Sequence, residues 1–277
     1  MIILDGKKLK QKILDELKEE VTKLLIKPKL VVIQVGEDPA SSVYVKQKEK
    51  MAEYIGYNFE HIKLSSDVLE KELLTLIDKL NDDKEVSGIL VQMPLPSQIN
   101  AKTVQNRVIA SKDVDGLTDI NSGKLVHNND TLISCTPMGI IDLLKEYNIP
   151  IKGKHVVIVG RSDLVGKPLI NLFLNNDATV TVCHSKTNNL ESITRLADIL
   201  VVAIGNKEFI KDNMVKNNAV VIDVGINRDN NKLYGDVDFD NVSKKVSYIT
   251  PVPGGVGPMT VAELAKNVLK AYKINRH

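Results

Sequence analysis

Tryptophan is absent from this chain of 277 residues, and aromatic residues together make up only 4% of it. Cysteine is scarce as well, since Cys135 and Cys183 are the only two and lie too far apart to form a metal-spaced pair. Neither sign of charge is in excess, because 37 lysines and arginines are matched by 35 aspartates and glutamates. These shortages argue against a disulfide scaffold, a zinc ribbon, and a binder of nucleic acid or acidic membranes.

Long apolar runs are also missing. No stretch approaches the roughly 20 residues that a membrane-spanning helix needs, and the first five residues lead into a charged helix rather than a signal peptide. Two scattered cysteines suit a reducing compartment, so we expect a cytoplasmic protein. The chain is 43% hydrophobic and 26% charged. That balance is typical of a globular protein with a buried core, and the length suits one large domain or two ordinary ones.

What the chain does contain is a regular alternation of apolar runs and amphipathic segments. Residues 30–35, 87–92 and 156–159 are predicted to form buried strands, and a helix is predicted to open at Asp38-Pro39 with Asp38 as its cap. Strands separated by helices indicate parallel sheets covered on both faces. We therefore predict an α/β protein of two α/β domains with a cleft between them, the second being Rossmann-like with a parallel sheet.

Two segments mark the predicted domain boundaries. Residues 112–135 are polar and loop-like, and residues 251–258 are rich in proline and glycine. Thr260 and Glu263 have the spacing of a capping box, which predicts that a last helix starts at Val261. The predicted domains are residues 1–118, with a C-terminal helix at 258–277 that packs back on them, and residues 119–257.

A glycine-containing loop follows the predicted strand at 156–159 and leads into a helix. A strand, a glycine loop and a helix in this order place backbone N–H groups and the positive end of the helix beside a phosphate. The spacing from Gly160 to Gly166 is G-x₅-G rather than the G-x-G-x-x-G of most dinucleotide sites, so the loop alone is a weak signal. Its glycines would serve equally well to turn a tight loop.

The next strand distinguishes between two nicotinamide cofactors. Sites for NAD carry an acidic residue about 20 residues further on, which binds the ribose 2′-hydroxyl. Here the strand ends in His184-Ser185-Lys186 without a carboxylate, and Ser185, Lys186 and Arg161 could instead hold a 2′-phosphate. We therefore predict NADP rather than NAD, although Lys186 would also suit an ordinary solvated surface. Residues 223–227 suit either a wall beside the nicotinamide or a plain turn.

Candidate chemistry lies in the first half of the chain. Tyr44 and Lys48 are four residues apart in the helix that opens at Asp38, so they share one face. An aromatic ring beside an ammonium suits a flat heterocycle that stacks and exchanges a proton, and burial would make Lys48 a usable base. Gln92 ends a buried strand, where α/β proteins bind ligands. An ordinary basic helix face is the alternative for Tyr44 and Lys48.

Two carboxylates lie in the turn formed by residues 112–116. A carboxylate can bridge the adjacent N–H donors of a 2-aminopyrimidinone ring, much as it pairs with a guanidinium. Turn capping is the common alternative for both Asp113 and Asp115. We expect at most one of the two to contact a ligand.

Ten segments occur in a characteristic order along nearly the whole chain. They are Ala40-Ser41, Tyr44-Val45, Lys48, Val91–Pro96, Lys112–Gly116, Cys135–Pro137, Gly160–Ser162, His184-Ser185, Asp223–Gly225 and Pro251–Thr260. In this order they resemble the bifunctional methylenetetrahydrofolate dehydrogenase/methenyltetrahydrofolate cyclohydrolase family, the bacterial FolD type. The G-x₅-G loop resembles that family's own version of the phosphate loop.

The resemblance implies a role for each candidate side chain. The implied catalytic residues are Lys48, Tyr44, Gln92 and Asp115; the implied cofactor-binding residues are Gly160, Arg161, Ser162, Ser185 and Ile226; the implied substrate-binding residues are Tyr44, Gln92, Asp115, Pro253, Gly254 and Gly255. Lys48 would act above all in hydrolysis, with Gln92 tuning it. Tyr44 would stack on the pterin, which Asp115 would anchor. No metal is implied.

The implied activity is NADP-dependent oxidation of 5,10-methylenetetrahydrofolate to the 5,10-methenyl compound, followed by hydrolysis to 10-formyltetrahydrofolate. These reactions belong to one-carbon metabolism, which feeds purine, histidine and methionine biosynthesis. The resemblance also implies a homodimer, with no nucleic-acid or membrane partner. Two alternatives are another NADP-dependent dehydrogenase, acting on a small hydroxy or keto acid, and a nucleotide-sensing module without catalysis.

Overall fold

The computed structural model describes residues 1–230 and 232–276. The strands are β1 (Ile2–Ile3), β2 (Lys29–Val35), β3 (Asn58–Leu64), β4 (Gly88–Gln92), β5 (His155–Val159), β6 (Thr179–Cys183), β7 (Ile199–Val202), β8 (Val220–Asp223), β9 (Asn227–Asp229), β10 (Lys232–Tyr234) and β11 (Tyr248–Ile249). The helices are α1 (Gly6–Thr22), α2 (Pro39–Ile55), α3 (Glu70–Asp82), α4 (Ala101–Arg107), α5 (Asp119–Val126), α6 (Cys135–Glu146), α7 (Gly166–Asn175), α8 (Leu190–Thr194), α9 (Phe239–Val242) and α10 (Val256–Ile274), with a 3-10 turn at Asp212–Met214.

The chain forms two compact units. The six-stranded unit, named after its main sheet, consists of residues 1–10 and 136–260, and the three-stranded unit consists of residues 11–135 and 261–276. Both contain parallel sheets with helical crossovers, which confirms the predicted fold class. The domain boundaries drawn from the sequence, which concern ligand binding, stay a prediction.

The main sheet of the six-stranded unit has the order β1-β11-β8-β7-β5-β6, and every neighbouring pair is parallel. After β1 at one edge, the chain returns to this sheet at β5, crosses through α7 to β6 on one side, and then builds β7, β8 and β11 on the other side. The strand order therefore reverses between β5 and β7. In doubly wound sheets such a switch point opens a crevice at the carboxyl ends of the strands, which confirms the Rossmann-like prediction.

The sheet of the three-stranded unit repeats this logic on a smaller scale. Its order is β3-β2-β4, again all parallel, so the strand order reverses between β2 and β4. The central strand β2 is apolar and almost entirely buried, as a parallel strand covered on both faces should be. A parallel bridge between Ile89 and Asp113 extends the sheet beyond β4. This bridge brings residues 113–115 to the same edge as the end of β4.

Helix α10 ends the chain and packs on the three-stranded unit along its second half. The hydroxyl of Tyr57 donates to the Ala265 carbonyl at 2.9 Å, and the hydroxyl of Tyr272 donates to the Ile26 carbonyl at 2.7 Å. The buried amide of Asn267 donates to the carbonyl of Val114 at 2.9 Å. These bonds fix the segment that leads into Asp115.

Two local predictions were wrong. The stretch 112–135 contains α5, which Thr118 caps by accepting a hydrogen bond from the backbone of Asn121. This helix is short and polar, so its periodicity is faint. The last helix begins at Val256 rather than Val261, because proline in the first turn of a helix removes an N–H that has no partner there in any case. Within the described residues, no helix is both long and apolar enough to span a bilayer.

Candidate active site

Lys48 and Gln92 meet at the switch point of the three-stranded sheet. Lys48 lies in the third turn of α2, which Asp38 caps by accepting a hydrogen bond from the backbone N–H of Ser41 at 2.7 Å. Gln92 is the last residue of β4 and is 9% exposed. The Lys48 Nζ donates to the Gln92 Oε1 at 2.6 Å. The sequence-predicted pair therefore forms a direct contact.

The amide of Gln92 is held in one orientation. Its Nε2 donates to the Met93 carbonyl at 2.8 Å, which leaves the oxygen turned toward Lys48. The same carbonyl accepts a hydrogen bond from the hydroxyl of Ser41, at the start of α2, at 3.2 Å. One backbone oxygen thus ties the end of β4 to the helix that carries the lysine.

The two carboxylates of the 112–116 turn have different surroundings. Asp113 accepts hydrogen bonds from the backbone N–H groups of Gly116 and Thr118 and from the Asn121 amide, all at 2.8–3.0 Å. Asp113 therefore serves the turn itself. Asp115 is partly buried and interacts electrostatically with Lys48. Of the two carboxylates, Asp115 belongs with the lysine.

Burial drives the protonation behaviour of this cluster. Loss of solvent lowers the pKa of Lys48, against the opposing influence of Asp115 and Cys135. Loss of solvent also raises the pKa of Asp115 to about 6, although the charge of Lys48 acts in the other direction. The proton affinities of an amine and a carboxylate thereby approach each other and the physiological range. Such groups are suited to proton transfer near neutral pH.

Tyr44 lies one helical turn before Lys48 and is 49% exposed. An aromatic side chain this accessible presents a ring face to which a flat ligand can stack. Tyr44, Lys48, Gln92 and Asp115 all belong to the three-stranded unit.

The second candidate site lies at the switch point of the six-stranded sheet. Gly160 follows β5 with a φ of 124°, and a Cβ there would lie 2.3 Å from the Ala203 carbonyl oxygen, which follows β7. At the start of α7, a Cβ on Gly166 would lie 2.4 Å from the Gly160 carbonyl oxygen. Both glycines are therefore required by close backbone packing at the point where doubly wound sheets bind ligands.

The other predicted cofactor residues surround this edge with accessible side chains. Arg161 and Ser162 are exposed in the loop after β5, Ser185 is exposed in the loop after β6, and Ile226 is 54% exposed after β8. The hydroxyl of Ser162 accepts a hydrogen bond from the backbone of Val165 at 3.2 Å, which shapes the loop. Exposed polar groups on a glycine loop fit a phosphate-bearing cofactor.

Pro253, Gly254 and Gly255 precede α10 and belong to the six-stranded unit. The Gly254 carbonyl accepts hydrogen bonds from the backbone of Gly6 at 3.0 Å and of Lys7 at 3.2 Å. A Cβ on Gly255 would lie 2.6 Å from that of Thr250. Local packing therefore explains Gly255, and a φ of 116° explains Gly254. The contact of these residues with substrate stays a prediction.

Sequence reasoning missed two features. One is the buried thiol of Cys135 at the start of α6, whose pKa burial raises and whose charge would influence Lys48. The other is a pair of buried carboxylates, Asp223 and Asp236, beneath the loops that follow β7 and β8. Cys135 and Asp223 lie within segments of the family resemblance, but the sequence analysis assigned neither of them a role, and Asp236 lies outside those segments.

Taken together, the six-stranded unit has the fold of a nicotinamide-nucleotide-binding domain, and the three-stranded unit contains a candidate acid–base site that includes a lysine. Comparison with known proteins makes the assignment specific. Residues 4–115 match the tetrahydrofolate dehydrogenase/cyclohydrolase catalytic domain, and residues 134–276 match the NAD(P)-binding domain of the same family. The chain belongs to the tetrahydrofolate dehydrogenase/cyclohydrolase family.

Individual relatives agree with this membership. The chain is 56% identical over 272 residues to a bifunctional protein FolD of Ligilactobacillus salivarius, covering 97% of this chain and 95% of that protein. The bifunctional FolD methylenetetrahydrofolate dehydrogenase/cyclohydrolase of Campylobacter jejuni superposes with a TM-score of 0.98 at 48% identity over the full length of both chains. The Trypanosoma brucei enzyme, solved with NADP and an inhibitor, superposes with a TM-score of 0.95 at 36% identity. The match covers 100% of this chain and 99% of that one.

Substituting Gly160 tests the close approach at the cofactor edge. Gly160→Ala must fit a side chain 2.3 Å from the Ala203 oxygen at a φ of 124°, so we expect it to lower the free energy of unfolding by about 2–5 kcal/mol. Gly153→Ala is the matched control, because its φ is also positive, at 73°, but nothing lies within 4 Å of its Cβ. Its expected cost is about 1–2 kcal/mol. Urea unfolding measures both, and equal losses would contradict the packing argument.

Proposed function

We propose that this protein oxidises 5,10-methylenetetrahydrofolate with NADP⁺ and hydrolyses the resulting 5,10-methenyl compound to 10-formyltetrahydrofolate. The observation that carries the proposal is the partly buried ammonium of Lys48, 2.6 Å from Gln92 and coupled to Asp115, in a chain of this family. A dehydrogenase of small hydroxy or keto acids would leave Tyr44, Lys48 and Gln92 without a common task.

The oxidation needs orientation more than it needs acid–base chemistry. When bound, NADP⁺ supplies the acceptor for the hydride that leaves the one-carbon bridge of the substrate. The chain contributes binding: Gly160 lets the backbone approach the pyrophosphate, and the N-terminal end of α7 favours its negative charge. The exposed Ile226, in the loop after β8, offers an apolar surface to the nicotinamide.

The hydrolysis makes direct use of the lysine. The methenyl carbon is an electrophilic cation, so water attacks it, and the water must lose a proton as its oxygen forms the new bond. Lys48 in its neutral form accepts that proton, and burial favours this form by lowering the pKa of the amine. Gln92 fixes the position of the amine. The C–N bond of the five-membered ring then breaks as the added oxygen forms the formyl C=O bond and releases its remaining proton to water. The ring nitrogen takes up the proton that the Lys48 ammonium returns.

The pterin ring offers groups that match the remaining side chains. Its 2-amino and adjacent ring N–H groups form a pair of donors, which the carboxylate of Asp115 can accept side by side. With a pKa of about 6, Asp115 is mostly ionised at neutral pH and able to accept both. The exposed ring of Tyr44 stacks on the flat heterocycle. Pro253, Gly254 and Gly255 would contribute backbone contacts to the folate.

The preference for NADP⁺ rests on the loop after β6 and on Arg161. The loop after β6, residues 184–189, contains no carboxylate. Ser185 is exposed in this loop, and Arg161 is exposed in the loop after β5. A guanidinium and a hydroxyl are suitable partners for a 2′-phosphate, which a carboxylate would repel. The relative solved with NADP supports this choice of cofactor.

The protein is further proposed to act in the cytoplasm as a homodimer. Both of its cysteines are free and buried, as suits a reducing compartment. Strand β6 lies at one edge of the six-stranded sheet, and its side chains are partly exposed. An uncovered edge strand is a surface that a second copy can cover.

Spectroscopic assays test the two activities and the role of Lys48. Purified protein with methylenetetrahydrofolate and NADP⁺ should generate NADPH absorbance, and added methenyltetrahydrofolate should be hydrolysed. Lys48→Met should slow hydrolysis by at least about a hundredfold, because it removes the general base, while NADP⁺ binding stays unchanged. Lys46→Met is the control, since Lys46 is an exposed lysine of the same helix. Unimpaired hydrolysis in Lys48→Met would refute the assigned role.

The 2′-phosphate contact predicts a difference between the two cofactors. Arg161→Ala should raise the Kd for NADP⁺ by about tenfold, because it removes a charge-assisted hydrogen bond, and should leave the Kd for NAD⁺ nearly unchanged. Calorimetric titration with each cofactor measures both values. Equal weakening would show that Arg161 does not recognise the 2′-phosphate.

The homodimer is tested by mass. Light scattering after size exclusion should give twice the 30.6 kDa of the chain at micromolar concentration. A single-chain mass across the whole accessible concentration range would contradict the dimer.

A further inference from the structure

Asp236 lies fully buried beneath the loop that follows β7. Its Oδ2 accepts hydrogen bonds from the backbone N–H groups of Ile204 at 2.7 Å and of Gly205 at 3.0 Å. Its Oδ1 accepts one from the backbone of Asn206 at 2.7 Å. Three consecutive backbone donors thus converge on one carboxylate, which defines the course of the loop.

The same carboxylate also reaches the loop that follows β8. Its Oδ1 accepts a hydrogen bond from the Asn227 amide at 2.9 Å. A Cβ on Gly225 would lie 2.1 Å from the Asp236 carboxyl carbon, so that loop passes directly over the carboxylate. Residues 204–206 and 225–227 are therefore fixed by a single side chain.

A second buried carboxylate holds Asp236 in place. Asp223 ends β8 and accepts hydrogen bonds from the backbone of Asp236 at 2.9 Å, of Val237 at 2.9 Å and of Gly225 at 3.1 Å. Any side chain on Gly235 would collide with Asp223, because a Cβ on Gly235 would lie 1.8 Å from the Asp223 Oδ2. The segment 235–237 is thus anchored to the end of a central strand.

The two loops occupy the functional edge of the six-stranded sheet. Ala203 contacts Gly160 across the switch point, where its backbone N–H also donates to the Val159 carbonyl at 2.8 Å. The loop that begins at Ala203 therefore adjoins the glycine loop. Ile226, an expected nicotinamide contact, lies between Gly225 and Asn227. Asp236 is fully buried and contacts both loops.

We propose that Asp236, held by Asp223, is a positioning residue for the nicotinamide half of the cofactor. This inference rests on the proposed function, since it concerns the same cofactor site. Asp236 presents the loops after β7 and β8 in the shape that the cofactor requires before it binds. Preorganised loops bind more tightly, because less ordering remains to be done on binding.

The chemistry of a carboxylate is essential to this role. Four N–H donors point at the two oxygens, and a carboxylate is an acceptor on both sides. The isosteric Asp236→Asn must aim an NH₂ group at two of those donors, whichever way the amide turns. The loop that loses its acceptor must then move or leave its donors unpaired.

The test compares cofactor binding with hydrolysis in the full-length protein. We expect Asp236→Asn to raise the Kd for NADP⁺ and for NAD⁺ by about tenfold each, because the loops contact the half that the two cofactors share. Hydrolysis of added methenyltetrahydrofolate without cofactor should stay within about twofold, since that chemistry uses Lys48. Calorimetric titration and absorbance measure these values well below the unfolding temperature.

Two further variants sharpen the test. Asp240→Asn makes the same change at an exposed position four residues on and should alter neither binding nor hydrolysis. Asn227→Ala removes one of the four donors and should weaken both cofactors by a smaller factor, about twofold to threefold. It replaces Asp236→Asn as the deciding variant if that protein does not fold.

The outcomes separate this proposal from the function on which it rests. Unchanged affinity for both cofactors in the deciding variant would overturn the positioning role, and so would an equal loss of cofactor binding and hydrolysis. A loss confined to NADP⁺ would also overturn it, because it would place the effect at the 2′-phosphate. Failure of the unmodified protein to bind NADP⁺ would instead overturn the proposed function.

Discussion

The hydrogen bond from Lys48 to Gln92, 2.6 Å long and partly withdrawn from water, is the interaction on which the chemistry proposed for the three-stranded unit depends. A lysine side chain in water stays protonated at neutral pH and therefore cannot act as a base. Burial weakens the binding of that proton, but a buried amine without a partner would be costly and mobile. Gln92 provides a neutral acceptor that fixes the amine. A negatively charged acceptor in its place would raise the pKa of Lys48 again.

Both candidate sites follow from one topological constraint. In each unit the chain adds the next strand on one side of a central strand and a later strand on its other side. The strand order therefore reverses between β2 and β4 in one sheet and between β5 and β7 in the other. The two crossover helices then lie on opposite faces, and the loops after the two central strands diverge. Side chains from distant parts of the sequence gather there, as Lys48, Gln92 and Asp115 do in one sheet and residues 160–162, 203–206 and 224–227 do in the other.

Much of this could be predicted from local patterns. Asp38 and Pro39 signalled the start of α2, and the four-residue spacing placed Tyr44 and Lys48 on one face, because both depend on interactions within a single helical turn. The α5 helix was missed because it buries little and is polar. The start of α10 was predicted too late, because Thr260 and Glu263 have the spacing of a capping box although the first turn of the helix lies before them and tolerates Pro258. Asp236 was missed because its donors lie some 30 residues away and follow no period.

The sequence by itself determined the α/β class, the strands and most helices, the family, and the residue types available for catalysis, since these depend on short-range periodicity and on ordered motifs. Only the tertiary structure decided which of the two neighbouring carboxylates is left for a ligand. Asp113 is committed to the turn by three donors, and Asp115 interacts with the lysine. The tertiary structure also shifted the pKa values of Lys48 and Asp115, because these shifts come from the solvent that distant segments exclude.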